Sequence, residues 1–199
     1  MKILDMEQCS PEWFEAKRGI PSSSEFSKII TTDGKQSKQR EKYMWKLAGE
    51  TLGGSLEEGY QSFAMAKGKE KEQEAKILFE MVHEPIRSVG FILADDGKCG
   101  SSTDGLIGDK GVFELKCPEI TAHIGYLLHP EEIPTDYYQQ TQGELFVTGR
   151  EYIHFMSYYP GLSPLFIREE PDEVFQRLLK KELDLFWDEL QAIVKKLSI

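Results

Sequence analysis

The spacing of apolar residues changes along the chain, from helical at the start to alternating in the middle and mixed at the end. Ser10-Pro11 opens a short helix, because serine caps well and proline suits a first turn, and Gly19 stops it after Arg18. Ser22-Ser23-Ser24-Glu25 has the form of a capping box, Ser22 to Glu25, and predicts a second short helix over residues 22–30. After a loop at Thr31-Thr32-Asp33-Gly34-Lys35, a third helix is predicted over residues 37–52, ended by Gly53-Gly54, and a fourth over residues 62–83. In the fourth, Ala75, Leu78, Phe79 and Val82 share one face. The middle reads as strands over residues 86–94, 98–107 and 112–117, with turns at Asp95-Asp96-Gly97 and residues 108–111. Residues 121–128 and 134–147 are predicted helices, and residues 151–159 and 165–169 strands, parted by Pro160-Gly161. Pro171 begins a long terminal helix with Val174, Leu178, Leu185, Leu190 and Val194 among its apolar positions, and residues 1–4 read as an early strand or ordered tail. With no repeat or linker, the pattern predicts one domain over residues 1–199. Its expected fold class is mixed α/β, α+β-like in element order, with a mixed sheet flanked by helices.

A 199-residue chain with 40% hydrophobic and 11% aromatic residues has enough apolar material for a core, which excludes intrinsic disorder. No apolar run approaches the roughly 18 residues of a membrane span, and the start MKILDMEQCS lacks a secretory signal, so a soluble cytoplasmic protein is expected. Cys9, Cys99 and Cys117 are too few for a four-cysteine zinc or iron–sulfur site and do not suit a disulfide scaffold. The net charge of -10 argues against holding nucleic acid by bulk charge. Residues 17–46 nevertheless carry eight basic side chains against three acidic, and residues 169–189 eight acidic against three basic. The first run is a candidate binding surface on an acidic body; either run also reads as a solvated helix face.

The chemistry concentrates in Ser102-Thr103-Asp104-Gly105 and Phe113-Glu114-Leu115-Lys116. Strand side chains alternate, so Glu114 and Lys116 share one face while Phe113, Leu115 and Cys117 form the apolar one. A hairpin-paired strand carrying Asp104 then brings two carboxylates and an ammonium together. Two carboxylates with the Leu115 carbonyl between them suit Mg²⁺, and Lys116 could position or deprotonate a water or steady charge on a phosphate. Taken alone, the Glu-x-Lys triplet is more often a surface ion pair; an aspartate ten residues upstream across a turn sharpens it. On the fourth helix, stepping back from positions 82, 79 and 75 lands on Glu72, a carboxylate expected on the buried face, which needs a metal or a salt bridge to Lys71 or Lys76. Gln139-Gln140-Thr141-Gln142 offers amides for orienting water or lysine, or a polar helix face. The four histidines are scattered without metal-ligand spacing, no phosphate-binding loop of an ATP motor is present, and Trp13, Trp45 and Phe63 suit either base stacking or a core.

These segments, in order and over nearly the whole chain, resemble the PD-(D/E)xK nucleases, and within them the lambda exonuclease and YqaJ-type viral recombinase family. The matching pieces are Trp13 with Lys17-Arg18-Gly19-Ile20-Pro21-Ser22-Ser23-Ser24, then Gly68-Lys69-Glu70-Lys71-Glu72 with Ala75, then Ser102-Thr103-Asp104-Gly105-Leu106. Glu114-Leu115-Lys116-Cys117-Pro118 and Tyr137-Tyr138-Gln139-Gln140-Thr141-Gln142 complete the series. Each is short; five in order are specific. The resemblance implies a restriction-endonuclease-like core and a site in which Asp104, Glu114 and the Leu115 carbonyl hold metal and Glu72 binds a second ion. It also makes Lys116 the catalytic lysine and has Gln140 help hold Lys116 and the water. Lys17, with Arg18 as neighbouring candidate, and Ser24 would meet the DNA 5′-phosphate. The chain departs from the pattern by Lys17 where the lambda enzyme has arginine, and by Ile20-Pro21-Ser22 where relatives carry Ile-Thr-Ala.

The implied activity is a metal-dependent 5′→3′ exonuclease on linear double-stranded DNA, releasing mononucleotides and leaving a 3′ overhang. The cofactor would be two Mg²⁺ ions, with Mn²⁺ equally suited by ligand type. The implied partners are double-stranded DNA ends, two further copies in a homotrimer ring and a single-strand annealing protein, in a phage- or prophage-encoded system acting in the bacterial cytoplasm, with no membrane. The alternatives are a PD-(D/E)xK DNA endonuclease, told apart on closed circular duplex, and a non-catalytic DNA-end-binding module, which need not keep Asp104, Glu114 and Lys116 together.

Overall fold

A computed structural model describes residues 1–54 and 63–198; the side chains of residues 63–69 also fall outside the description. The predicted helix start at Ser62 and the side chains of Phe63 and Lys69 therefore lie outside the described residues, as does the burial of Gly68. In chain order the elements are β1 (Lys2–Leu4), α1 (Pro11–Lys17), a 3₁₀ turn (Ser23–Lys28), α2 (Arg40–Thr51) and α3 (Phe63–Val82). The strands β2 (Ile86–Arg87), β3 (Phe91–Leu93), β4 (Gly100–Ser101), β5 (Gly105–Ile107) and β6 (Gly111–Lys116) follow. Then come α4 (Ile120–Leu127), α5 (Thr135–Thr148), β7 (Tyr152–Ser157), β8 (Leu165–Glu169) and α6 (Glu173–Leu197). No helix among the described residues is long and apolar enough to cross a membrane.

A five-stranded sheet runs β2-β5-β6-β7-β8, and a three-stranded sheet β1-β3-β4 lies beside it. All pairs are antiparallel except β6 with β7, which run parallel with Glu114 opposite Phe155 and Lys116 opposite Ser157. A parallel pair needs a long crossover, and α4 and α5 supply it. This is why a helix covers the face of β6 that carries the polar side chains. The expected strands over residues 86–94 and 98–107 each divide between the two sheets. The chain leaves the large sheet at residues 88–90 and returns at residues 102–104. Gly90 permits the first crossing: a Cβ there would stand 2.4 Å from the Met6 carbonyl and 2.8 Å from that of Leu4.

β6 separates two cores. Phe113 and Leu115 pack with Ala75, Phe79, Ile107, Met156 and Tyr158, and Cys117 lies partly buried against them. Val112, on the other face, joins Phe26, Leu145, Ile153 and Phe155 and the inner side of α6. That inner side is Phe175, Leu179, Leu183, Phe186 and Leu190; Val174, Leu178 and Leu185 are on the solvent side, at 60%, 37% and 40% exposure. On α3, full burial among described side chains is limited to Ala75 and Phe79. Val82 is exposed, and so is Glu72, against the expectation of a buried carboxylate. The contact of α3 with the sheet is thus too short to bury the turn carrying Glu72. Nor does Ser22 cap a helix through its side chain. Its backbone is extended, as a cap requires, and bridges to Gly100, but its N–H donates to the Tyr43 hydroxyl and is not left for Glu25 to accept.

The segment carrying Ser22 packs hard against α5. A Cβ on Gly143 would stand 2.5 Å from the ring of Phe26, which is fully buried and cannot retreat. Gly143→Ala should lower stability by about 1–3 kcal/mol despite alanine's better helix propensity, read as a lower urea midpoint at unchanged slope.

Candidate active site

β5 pairs with β6 only as far as Gly105 opposite Phe113. Beyond that point the β5 side of β6 is open, and the Asp104 carboxylate fills it: Leu115 N donates to Asp104 Oδ2 at 2.8 Å. Asp104 is held from behind. Thr103 Oγ1 donates to the Phe113 carbonyl at 2.7 Å, Gln8 Nε2 to the Thr103 carbonyl at 3.0 Å, and Lys76 Nζ to the Asp104 carbonyl at 3.1 Å. Tyr158 N donates to the Lys116 carbonyl, which therefore faces β7. Because carbonyls alternate along a strand, the Leu115 carbonyl faces the Asp104 side.

On the α5 face of β6, Glu114 is 2% exposed. Its Oε1 accepts from Lys116 Nζ at 2.6 Å and from Gln140 Nε2 at 2.6 Å. Both donors fall on one oxygen. Burial, then the nearby Asp104 charge, raises the Glu114 carboxyl to about 7 against the pull of Lys116. Burial draws the Lys116 ammonium down, yet Glu114, Asp104 and Glu144 outweigh it and hold the lysine above its usual range, so it is protonated at neutral pH. The Lys116 ammonium also sits 5.0 Å from the centre of the Tyr137 ring. Gln140 thus reaches Glu114, where the resemblance had it hold Lys116 and a water. Its second amide bond goes to Glu144 Oε1 at 3.0 Å. Glu144 escaped the sequence reading because a lone glutamate in a helix gives no sign of its face.

Asp104, Glu114 and the Leu115 carbonyl form an all-oxygen donor set around the open edge of β6. Among the described residues no three His, Cys, Asp or Glu side chains converge on one point. Two carboxylates and a carbonyl nevertheless suit a hard cation that keeps several waters for a phosphate, so the residues present fit Mg²⁺ or Mn²⁺. Glu72 and Asp104 line one open cleft of about 760 Å³, together with Gln8, Cys9 and Lys76.

The basic residues near the start separate cleanly. Lys17 and Ser24 line a pocket of about 190 Å³, with Trp13, Lys46, Glu25 and Glu50. The Lys17 ammonium lies 3.8 Å from the centre of a Trp13 ring, and burial lowers it to about 8. Arg18 is engaged elsewhere: it pairs with Glu15 at 2.9 Å and donates to the carbonyls of Glu50 and Gly54 at 2.9 and 3.1 Å. The pocket is joined to the carboxylates through β4. Gly100 N donates to the Pro21 carbonyl at 2.9 Å, and the Ser23 and Ser101 hydroxyls are bonded at 2.8 Å. The hydroxyls of Ser22 and Ser102 are buried without a hydrogen-bond partner among the described residues, and the sequence reading gave Ser102 no role of its own. His123 is buried between the Ser157 hydroxyl and the Ser163 carbonyl, and His83 and His154 pack with Phe79, all structural positions. Trp45 is 57% exposed and belongs to no core.

A mixed sheet with an aspartate, a Glu-x-Lys strand and a glutamine from the crossover helix is the arrangement of a PD-(D/E)xK-type nuclease. The family model of the YqaJ-like viral recombinase domain matches residues 12–151, and the chain belongs to that family. Among solved structures it is similar to an alkaline exonuclease from Laribacter hongkongensis, at 30% identity over 94% of this chain and 96% of that one, with a TM-score of 0.83. The same exonuclease in complex with dAMP matches equally. A phage-related exonuclease from Haemophilus somnus 129PT shares the fold, at 13% identity over 90% of this chain and 96% of that one, with a TM-score of 0.64. No curated protein matches.

The Lys17 environment gives a direct check. The side-chain signal of Lys17 in carbon NMR should titrate with a midpoint near 8, well below an ordinary lysine, and the signal should vanish in Lys17→Arg.

Proposed function

We propose that this chain is a divalent-metal-dependent 5′→3′ exonuclease on linear double-stranded DNA, releasing mononucleotides and leaving a 3′ overhang for strand annealing. The observation that carries the reading is the join of Asp104, Glu114 and Lys116 at the open edge of β6. Membership of a viral recombinase family and likeness to an alkaline exonuclease support it, and a relative solved with dAMP supports a deoxynucleoside monophosphate as product.

Asp104, Glu114 and the Leu115 carbonyl would hold one ion, and Glu72 would face a second. Bound Mg²⁺ or Mn²⁺ would supply charge neutralisation at the scissile phosphate and acidify water. Glu114 Oε1 is occupied by Lys116 and Gln140, so Oε2 is the oxygen left for a cation. Lys116, kept protonated, donates to the phosphate oxygens as water adds to phosphorus and the bond to the 3′-oxygen breaks. Lys17 and Ser24 receive the 5′-phosphate, while Arg18 fixes the end of α2. Lysine gives a point charge where arginine would give a fork. Three copies closing into a ring would set the basic run at residues 17–46 around DNA and leave the acidic surface outside. An annealing protein would take over the exposed strand, in a phage or prophage setting within the bacterial cytoplasm.

The test is nucleotide release from linear 5′-phosphorylated duplex with Mg²⁺ or EDTA, beside closed circular duplex. Release from linear DNA alone, abolished by EDTA and reduced at least about 100-fold by Lys116→Ala, is expected. Cutting of the circle would establish an endonuclease, and binding without cleavage an end-binding module. Lys17 adds a pH signature. Below about 8 it is an ammonium and above it a neutral amine, so KM for 5′-phosphorylated ends should rise between pH 7.5 and 9. Lys17→Arg should flatten that rise.

A further inference from the structure

Glu144 is fully buried on α5, with a side chain no packing argument requires. Its Oε1 accepts one amide hydrogen of Gln140, one turn earlier on the helix. Its Oε2 is buried, and the carboxyl group lies within hydrogen-bonding reach of Glu114, with burial and the Glu114 charge holding it well above the usual carboxylate range. Burying a carboxyl group beside a second one is costly, and an unbranched apolar side chain would fill the same space without that cost. The arrangement it maintains is specific. A glutamine amide has two hydrogens on one nitrogen, and here one goes to Glu114 Oε1 at 2.6 Å and the other to Glu144 Oε1 at 3.0 Å. With both committed, the amide cannot turn or withdraw, and its oxygen is directed away from Glu114. Gln140 and Lys116 together then pin Glu114 by a single oxygen.

We infer that Glu144 is a positioning residue for hydrolysis, acting through Gln140 to fix the orientation of Glu114. The inference rests on the nuclease reading of Asp104, Glu114 and Lys116. Its role is to accept a hydrogen bond, which a glutamine oxygen does well and a methionine sulfur only weakly.

Three variants test it, with kcat, KM for duplex DNA, thermal midpoint and exchange of the Gln140 side-chain amide protons as readouts. Glu144→Met should lower kcat about 10- to 100-fold at unchanged KM, with a midpoint no lower than wild type and faster amide exchange. Glu144→Gln should keep kcat near wild type. Adding Glu144→Met to Gln140→Ala should cost no further activity, because the two act in series. Wild-type kcat in Glu144→Met, or a loss that adds in full to that of Gln140→Ala, would overturn the inference. So would losses in both Glu144→Met and Glu144→Gln that track a falling midpoint, which is the mark of a purely structural role. A wild-type protein that releases no nucleotide under any metal would overturn the nuclease reading itself, and the inference with it.

Discussion

Glu114 has almost no contact with water, and its carboxylate is answered by Lys116 from its own strand and Gln140 from the crossover helix. A buried charge of this kind is tolerated only when its partners are held in place, and several features of the fold follow from that need. The parallel pairing of β6 with β7 forces a long connection across the sheet, and that connection supplies α5. α5 is in turn seated on the Ser23–Lys28 turn through the gap left by Gly143. The same turn is bonded to β4, three residues ahead of Asp104. The two ends of the proposed DNA path, the carboxylates and the Lys17 pocket, are therefore parts of one packed unit.

The open edge beside β6 complements this buried half. There a side chain takes the place of a strand: the Asp104 carboxylate accepts the N–H that a longer β5 would have taken. Because β5 pairs no further than Gly105, the Leu115 carbonyl is not taken up by β5, and the Asp104 carboxylate lies on the wall of an open cleft. The site is thus protected on one side and accessible on the other, the condition for a cation that must keep water and meet a phosphate.

The sequence reading is strongest where one period decides the geometry. Alternation alone placed Glu114 with Lys116 and Phe113 with Leu115, and both pairings hold. It weakens where position depends on how far two elements stay in contact. Helical spacing put Glu72 beneath Ala75 and Phe79, but spacing carries no information on where a helix parts from a sheet, and Glu72 is exposed. The division of residues 86–94 and 98–107 between two sheets has the same origin, since the close approach of residues 4–6 to Gly90 is a tertiary fact. Adjacent Lys17 and Arg18 carry like charge in sequence, and only packing shows one lining a pocket and the other clasping the end of α2. Glu144 gave no signal because its partner Gln140 is informative only once Glu114 is known to face it.

The crossover that brings Gln140 to Glu114 also sets when the centre can exist. The two residues are 26 apart in sequence, and their contact requires β6 formed, the crossover helix docked and β7 laid parallel beside β6. Such non-local pairing is slow to form, because chain entropy is lost before the contacts repay it. A chain still emerging from synthesis, or one opened by partial unfolding, keeps Glu114 and Lys116 on a strand but has no amide to orient the carboxylate. Assembly of the Glu114–Gln140 pair is in this way tied to completion of the fold: the carboxylate gains its amide partner only when the strand and the crossover helix have met.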